Sequence, residues 1–247
     1  IGKGYATFSY QALVTSGLNA CGFDRNNWVQ GGKQGIFEED NFTSPAYTFR
    51  VDYNGVPGLR LGTSFYYCAN TTANSDKLTE YNFRAPIRIY TADAQYKNNI
   101  VAARANFMWG NLTNADKVSA VNTKLSNNSP YTRVVPVAKK AVSYGAEVGL
   151  NLAGIFAGTR CPVLYPFTRF DYYNTQKECA GLYIADKRNE VRKWTAGINW
   201  FALPNLVVKA DYATRQIGTS KIFGKGKYNS ENEFSIGVAY VGWFTKR

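Results

Sequence analysis

The sequence predicts an all-β protein, a transmembrane antiparallel up-and-down β-barrel with about ten strands in this chain, in a single domain over residues 1–247. Three observations predict it. Apolar side chains alternate with polar or small ones in segment after segment, the connections alternate between short and long, and aromatic residues gather at segment ends. A tilted strand of about ten residues crosses a bilayer, which matches these segments.

Ten strands are expected along the chain. In the last, Phe234, Ile236 and Val238 fall on one face, whereas Glu233 and Ser235 fall on the other. Seven segments alternate as cleanly as this one or nearly so: 47–53, 59–67, 101–109, 142–152, 194–200, 206–215 and 233–244. Three others alternate less cleanly: 5–15, 86–96 and 163–173. Each strand is therefore expected to have one apolar and one polar face.

The connections fall into two sets. The short ones lie at 54–58, 97–99, 153–160 and 202–205, and the long polar ones lie at 17–45, 70–82, 113–141, 174–190 and 218–229. Because the two sets alternate, short turns occupy one rim and long loops the other, as in outer-membrane barrels. The Ala, Val and Leu content of 113–141 predicts a short helix at 115–124, and this loop would narrow the lumen if it folded inward.

The aromatic residues separate a barrel from a soluble carbohydrate-binding sandwich. Both architectures explain the alternation, because a sandwich also buries every second residue. Aromatic girdles at the membrane interfaces explain in addition why aromatic residues lie at strand ends. These residues are Tyr53, Tyr96, Trp109, Trp200, Phe201, Tyr212, Trp243 and Phe244. The barrel is therefore favoured.

Charge and composition exclude several classes of function. The chain has 29 Lys and Arg against 17 Asp and Glu, a formal charge of +12, and no His. Without an imidazole it has no His-dependent triad and no His-containing zinc site, and no G-x-S-x-G motif is present. We therefore expect no enzyme, no cofactor and no metal. Because the basic residues form no dense run, nucleic acid is not an expected partner.

Four segments carry a family resemblance: YNGVPGLRLGTSFYY (53–67), GNLTNADKVSAVN (110–122), LYPFTRFDYY (164–173) and AGINWFALPNLVVKADY (196–212). In this order they resemble the phosphate-selective porin O and P family, in the branch common in Bacteroidetes-type bacteria, over about residues 46–244. The resemblance implies a sixteen-stranded barrel that acts as a trimeric, commonly anion-selective diffusion channel. This chain would then be the C-terminal part of the barrel, with N-terminal strands missing. A closed ten-stranded barrel is the rival interpretation.

If the apolar face meets lipid, the charged residues of the polar face line the lumen. An Arg or Lys facing lipid at the midplane costs about 2–4 kcal/mol, whereas a water-filled lumen lets it stay charged. The expected pore-lining residues are Arg50, Asp52, Arg60, Asp93, Arg104, Glu147, Arg169, Asp171, Lys209, Asp211 and Arg215. They form either a conduction path for anions or a structural ladder of ion pairs across the wall.

The expected function is that of a porin in the bacterial outer membrane, a passive diffusion channel for small hydrophilic solutes with weak anion preference. The alternative is a structural or adhesive barrel with a plugged lumen and partner-binding surface loops. The expected partners are the lipid bilayer, small anionic or hydrophilic solutes, and further copies in a homotrimer or a larger outer-membrane complex.

The four cysteines offer two disulfide pairings. Cys21, Cys68 and Cys179 fall near the long-loop rim, whereas Cys161 falls near the opposite rim. A strand of about twelve residues at about 3.3 Å each separates Cys161 from the others, which is too far for a bridge. A bond between Cys68 and either Cys21 or Cys179 is therefore feasible, and Cys161 is expected to be free.

Overall fold

The computed structural model describes residues 1–34, 41–75, 79–125, 135–156, 162–219 and 228–240. Ten strands form one antiparallel sheet in which each strand pairs with the next along the chain, as predicted. They are β1 (Phe8–Thr15), β2 (Ala46–Tyr53), β3 (Leu59–Cys68), β4 (Ile87–Lys97), β5 (Val101–Leu112), β6 (Lys140–Leu150), β7 (Val163–Glu178), β8 (Glu190–Leu203), β9 (Leu206–Gly218) and β10 (Tyr228–Tyr240). Within the described residues no ladder joins β1 to β10.

Two helices interrupt the connections. The first, α1 (Ala115–Lys124), has the predicted bounds and lies in a long connection. The second, α2 (Leu152–Ile155), is a single turn in a short connection. Short 3-10 turns occur at Gly4–Ala6, Ala20–Gly22, Gln30–Gly32 and Lys187–Asn189. No helix in the described ranges is long and apolar enough to span a membrane.

The prediction of a connection at 174–190 was wrong, because β7 continues to Glu178 and the connection covers only 179–189. Two of the polar side chains that gave this stretch the character of a loop, Asn174 and Gln176, are buried. Gln176 donates through Nε2 to the Pro136 carbonyl at 2.7 Å, and its Oε1 accepts from the Asp186 amide at 2.6 Å. Asn174 is buried beside it. Partners supplied by other loops therefore let a polar segment continue as a strand.

The apolar face of the sheet is exposed. Nine of the ten strands each place at least one large, exposed apolar side chain on it, among them Tyr10, Phe49, Leu61, Tyr90, Phe107, Tyr144, Trp194, Tyr212 and Phe234. The chain exposes 16028 Å², whereas a compact monomer of 27.5 kDa exposes about 11,000 Å². In the part of the chain that the structure describes, no second layer covers this face, which is not the arrangement of a soluble sandwich.

The hydrophobic core lies at one end of the sheet, at the rim of the long connections. It combines residues of these connections, such as Phe23, Trp28 and Val118, with residues at strand ends, such as Ile87 and Leu112. A core in this position does not hold two sheets together. It organises the long connections into a structure that we call the cap, formed by residues 19–33, 69–75, 79–86, α1 and 135–139.

Candidate solute pathway

All eleven predicted pore-lining residues lie on one face of the sheet. The cross-strand register places Arg50 opposite Ser64 and Arg104 opposite Glu147, and residues directly opposite each other share a face. The same alternation continues through every ladder to β9 and β10. The structure therefore brings the predicted residues together on the polar face.

The first half of a charged belt crosses β2, β3 and β4. Arg50 Nη2 lies 2.6 Å from Asp52 Oδ1 on its own strand, and Arg50 Nη1 lies 2.8 Å from Asp93 Oδ1 on β4. Arg60 approaches Asp93 at 3.6 Å. The Arg50–Asp93 pair spans the intervening strand β3 at Gly62, where a Cβ would collide with Arg50, Asp52 and Asp93. Glycine at this position makes room for the pairing.

The second half of the belt crosses β5, β6 and β7. Arg104 Nη2 lies 2.7 Å from Glu147 Oε2, and Arg169 Nη1 lies 4.0 Å from the same oxygen. Arg169 Nε also pairs with Asp171 Oδ2 at 2.6 Å. Glu147 thus connects two guanidinium groups from the neighbouring strands on either side.

The two halves face a concave space of about 520 Å³. We define the charged belt as the eight ion-paired residues of these two halves: Arg50, Asp52, Arg60, Asp93, Arg104, Glu147, Arg169 and Asp171. Four guanidinium groups balance four carboxylates, so at neutral pH the belt has no net charge. The formal charge of +12 therefore arises outside it.

Charged residues continue along the same face on β8, β9 and β10. Lys193 Nζ lies 3.1 Å from Glu233 Oε2, and Arg215 Nη1 lies 3.5 Å from Glu231 Oε2. Lys209 and Asp211 share the face, but no ion pair joins them in the described part of the chain. Here too, three basic residues balance three acidic ones.

Sequence reasoning placed Glu233 on the polar face without counting it as pore-lining, and it missed Lys193 and Glu231. The strands β8 and β10 begin before the predicted starts at 194 and 233, so Lys193 and Glu231 fell outside the predicted strands. For Glu233 the signal was present, because it alternates with Phe234 at the start of the predicted strand. Extending the two-residue alternation backward along both strands would have found Lys193 and Glu231.

The cap crosses the mouth of the concave face. Its first segment, 19–33, connects β1 and β2, yet Arg25 lies 3.7 Å from Asp186 in the connection between β7 and β8. The Arg25 carbonyl also accepts a hydrogen bond from Thr175 Oγ1 of β7 at 3.3 Å. The strands β2 and β7 are five strands apart, which is about 24 Å along the sheet. The segment therefore crosses the mouth directly, from the side of β2 to the side of β7.

Trp28 and Asn122 fix the cap. The Trp28 indole packs against Gly110 of β5, where any Cβ would collide with the ring, and its Nε1 donates to the Ala138 carbonyl at 3.0 Å. The buried Asn122 of α1 donates through Nδ2 to the carbonyls of Ala20 and Phe23, both at 3.1 Å. Its Oδ1 accepts from the Tyr81 hydroxyl. The bonds from Trp28 and Asn122 to backbone carbonyls connect segments about a hundred residues apart.

The cysteine pairings predicted from the sequence do not form. Within the described residues, Cys21, Cys68 and Cys179 form no disulfide with one another. Cys68 is buried with its Sγ 3.7 Å from Ser44 Oγ, and burial raises the pKa of the Cys179 thiol. Proximity to one rim was therefore not sufficient to bring two sulfur atoms together. Cys161, predicted to be free, lies outside the described residues.

Most of the predicted girdle lies on the apolar face, including Tyr53, Tyr96 and Trp200 at the short-turn rim. Phe201 is a correction, because it lies on the polar face and its ring packs on that of Tyr165, with centroids 5.4 Å apart. Trp109 is on the apolar face near the long-loop rim, and Tyr212 is on it in mid-strand. Trp243 and Phe244 lie outside the described residues.

Comparison with known proteins finds structural neighbours among solved structures. No family model matches the chain, and no curated protein matches it. The crystal structure of a FadL homologue from Pseudomonas aeruginosa aligns with 13% identity and a TM-score of 0.39, over 94% of this chain and 61% of that one. The chain thus spans less than two thirds of the neighbour's length.

Proposed function

We propose that the chain forms the wall of a bacterial outer-membrane β-barrel that conducts small hydrophilic solutes by passive diffusion. One observation carries the proposal: the sheet has an exposed apolar face on one side and a charged, concave face on the other. An apolar outer surface suits lipid, and a polar inner surface suits a water-filled lumen. Reversing the two faces would place the eight belt residues in lipid, at about 2–4 kcal/mol for each midplane Arg.

The edges of the sheet bear on closure of the barrel. An unpaired strand edge exposes backbone N–H and C=O groups that lipid cannot satisfy. We therefore propose that further strands pair with β1 and β10, as in the sixteen-stranded barrel that the family resemblance implies. The apolar face would contact the bilayer and, in a homotrimer or a larger outer-membrane complex, its neighbours.

We propose that the channel has a weak anion preference and that this preference arises at the mouth, not in the belt. The belt is neutral, but basic side chains such as Lys33, Lys117, Lys124 and Lys187 lie on the long-connection rim. Their field would attract anions toward the entrance and would weaken as the salt concentration rises.

Single-channel recording in a planar bilayer tests the proposal. Full-length protein should insert as stable conducting steps, and a salt gradient should give a small anion-favouring reversal potential that decreases at high ionic strength. Failure of purified, detergent-folded protein to insert under conditions in which a control porin inserts would overturn the membrane assignment.

The cap supports a second candidate, a structural or adhesive barrel with a plugged lumen. The contact between Arg25 and Asp186 places a packed segment across the mouth, and the buried Trp28 anchors it. This candidate predicts stable insertion without conductance, and conductance that appears when residues 19–33 are replaced by a short flexible linker. Open steps from the unaltered protein would exclude it.

A further inference from the structure

We infer that the charged belt, together with an aromatic patch beside it, selects uncharged, hydroxyl-rich solutes such as small sugars over anions of equal size. The inference rests on the proposed channel function and specifies its substrate class. It differs from the preference expected from the net charge, because it concerns the lumen and not the mouth.

Ion pairing removes the advantage of an anion within the belt. Each guanidinium group already has a carboxylate partner, the closest at 2.6 Å for Arg50 and Arg169 and at 2.7 Å for Arg104. An anion that approached such a guanidinium group would also meet the carboxylate beside it. The attraction and the repulsion are of similar size because the two charges lie at nearly the same distance.

The paired groups keep hydrogen-bonding capacity for a neutral solute. A guanidinium group has five N–H donors, and a carboxylate has about four acceptor positions. Half or more of the Arg60 and Arg104 side chains remains exposed, 50% and 56%, so donors remain open toward the lumen. A hydroxyl group both donates and accepts, and it can bridge an Arg and a carboxylate without disturbing their charge balance. Gln95 and Asn106 line the same space and offer the same dual chemistry.

The aromatic patch consists of Tyr165, Phe167 and Phe201, on the polar face toward the short-turn rim. Register places Phe167 opposite Gly197, and a Cβ on Gly197 would lie 2.8 Å from the Phe167 ring. Tyr165 and Phe201 pack edge to face. Phe167 is two residues from Arg169, about 6–7 Å along the strand. Aromatic rings in a water-filled lumen offer nothing to a small anion, but they can pack against the C–H surface of a sugar ring.

Liposome swelling separates the two solute classes. Proteoliposomes with the full-length protein would be tested with glucose, which is neutral, and with gluconate, an anion of nearly the same size. The wild type should admit glucose several-fold faster than gluconate. Equal rates, or faster entry of gluconate, would overturn the inference while leaving the channel function intact. Absence of swelling with every solute would overturn the channel function itself.

Belt variants test the role of charge balance. The double variant D93N/E147Q leaves the guanidinium groups of Arg60 and Arg104 without carboxylate partners. It should raise the gluconate rate several-fold relative to the glucose rate. The matched variant K193Q/E233Q removes one charge of each sign from the same face outside the belt and should keep the wild-type ratio. The inference fails if both variants change the ratio equally.

The patch variant Y165A/F167A tests the aromatic contribution. It should widen the lumen, yet glucose transport should reach half-saturation at a several-fold higher glucose concentration, because the rings no longer pack against the sugar. Tyr212→Ala, which removes an aromatic ring from the opposite face, is the matched control and should leave half-saturation unchanged. An unchanged half-saturation in the patch variant would remove the rings from the solute pathway.

Discussion

Gly62 is the residue on which the first half of the charged belt depends. Arg50 on β2 reaches Asp93 on β4 only because the strand between them has no side chain at this position. The sequence reveals a glycine on the polar face but gives no sign of the pair that crosses it. The need for glycine here is steric and not conformational, since a side chain would meet three charged groups at once.

Gly62→Ala is expected to displace the ion pairs and destabilise the barrel by about 1–3 kcal/mol, the usual cost of overpacking. Gly237→Ala is the matched control, because it lies on the same face of β10 with nothing within 4 Å of its Cβ. Urea unfolding in lipid vesicles, followed by tryptophan fluorescence, would measure both. Equal stability of the two variants would contradict the steric argument.

The arginines of the belt balance the charge of its carboxylates. Changing Arg50, Arg60 and Arg104 to Ala leaves the belt with an excess of carboxylates. The reversal potential in a salt gradient should therefore move toward cation preference, because carboxylates without partners attract cations. A reversal potential equal to that of the wild type would mean that these residues do not line the conduction path.

The cap is the element that we expect to limit conductance through the proposed channel. Trp28→Ala would remove a buried ring and its hydrogen bond to the Ala138 carbonyl. The loss should destabilise the local packing of the cap by about 3–5 kcal/mol. We expect the first segment of the cap to detach from β5 and single-channel conductance to rise. Trp194→Ala, on the apolar face, is the control and should leave conductance unchanged. Equal conductance in all three proteins would show that the cap does not obstruct the path.

Acid should loosen the cap on the side of β7. The hydrogen bond from Arg188, and its charge together with that of Arg25, hold the pKa of Asp186 below its ordinary value of 3.8. Because the folded-state pKa is depressed, this carboxylate stabilises the cap above about pH 4, and the contribution is lost as pH falls through the lower folded value.

Conductance should therefore be constant above about pH 5 and should rise in acid as Arg25 loses its partner. Asp186→Asn should give part of this rise already at pH 7 and should weaken the acid response. If this variant keeps the full acid response of the wild type, the pH dependence arises elsewhere.

At the scale of the whole molecule, the two faces of the sheet should meet different solvents. Trp194 is 56% exposed on the apolar face, whereas Trp28 is 6% exposed within the cap. In variants that keep one tryptophan each, lipids with brominated acyl chains should quench Trp194 strongly and Trp28 weakly, because quenching requires contact with the chains. Weak quenching of both would contradict a lipid-facing sheet.

Heat-modifiable gel mobility offers an independent measurement on the whole protein. An outer-membrane barrel that stays folded in detergent migrates differently before and after boiling, because its strands keep their pairing until heated. A protein that is soluble and monomeric without detergent, with a single mobility, would contradict the barrel.

The two-residue alternation predicts the existence and order of the strands and most of the membership of each face. Alternation is a property of neighbouring residues, so Arg50, Arg104 and Lys209 were assigned to the polar face before any pairing was known. The helix α1 was predictable for the same reason, since its composition is local. The length of β7 was not, because buried partners for Gln176 come from distant loops.

Only the tertiary structure decided which charges pair, that the thiols stay apart, and that the cap crosses the mouth. The belt pair Arg50–Asp93 joins residues on strands that are not neighbours, and the contact between Arg25 and Asp186 joins two loops far apart in the chain. No local pattern encodes such contacts, because they depend on sheet curvature and on where separate loops meet. Periodicity thus determined what each face is made of, and packing determined that the charges of the belt balance in space.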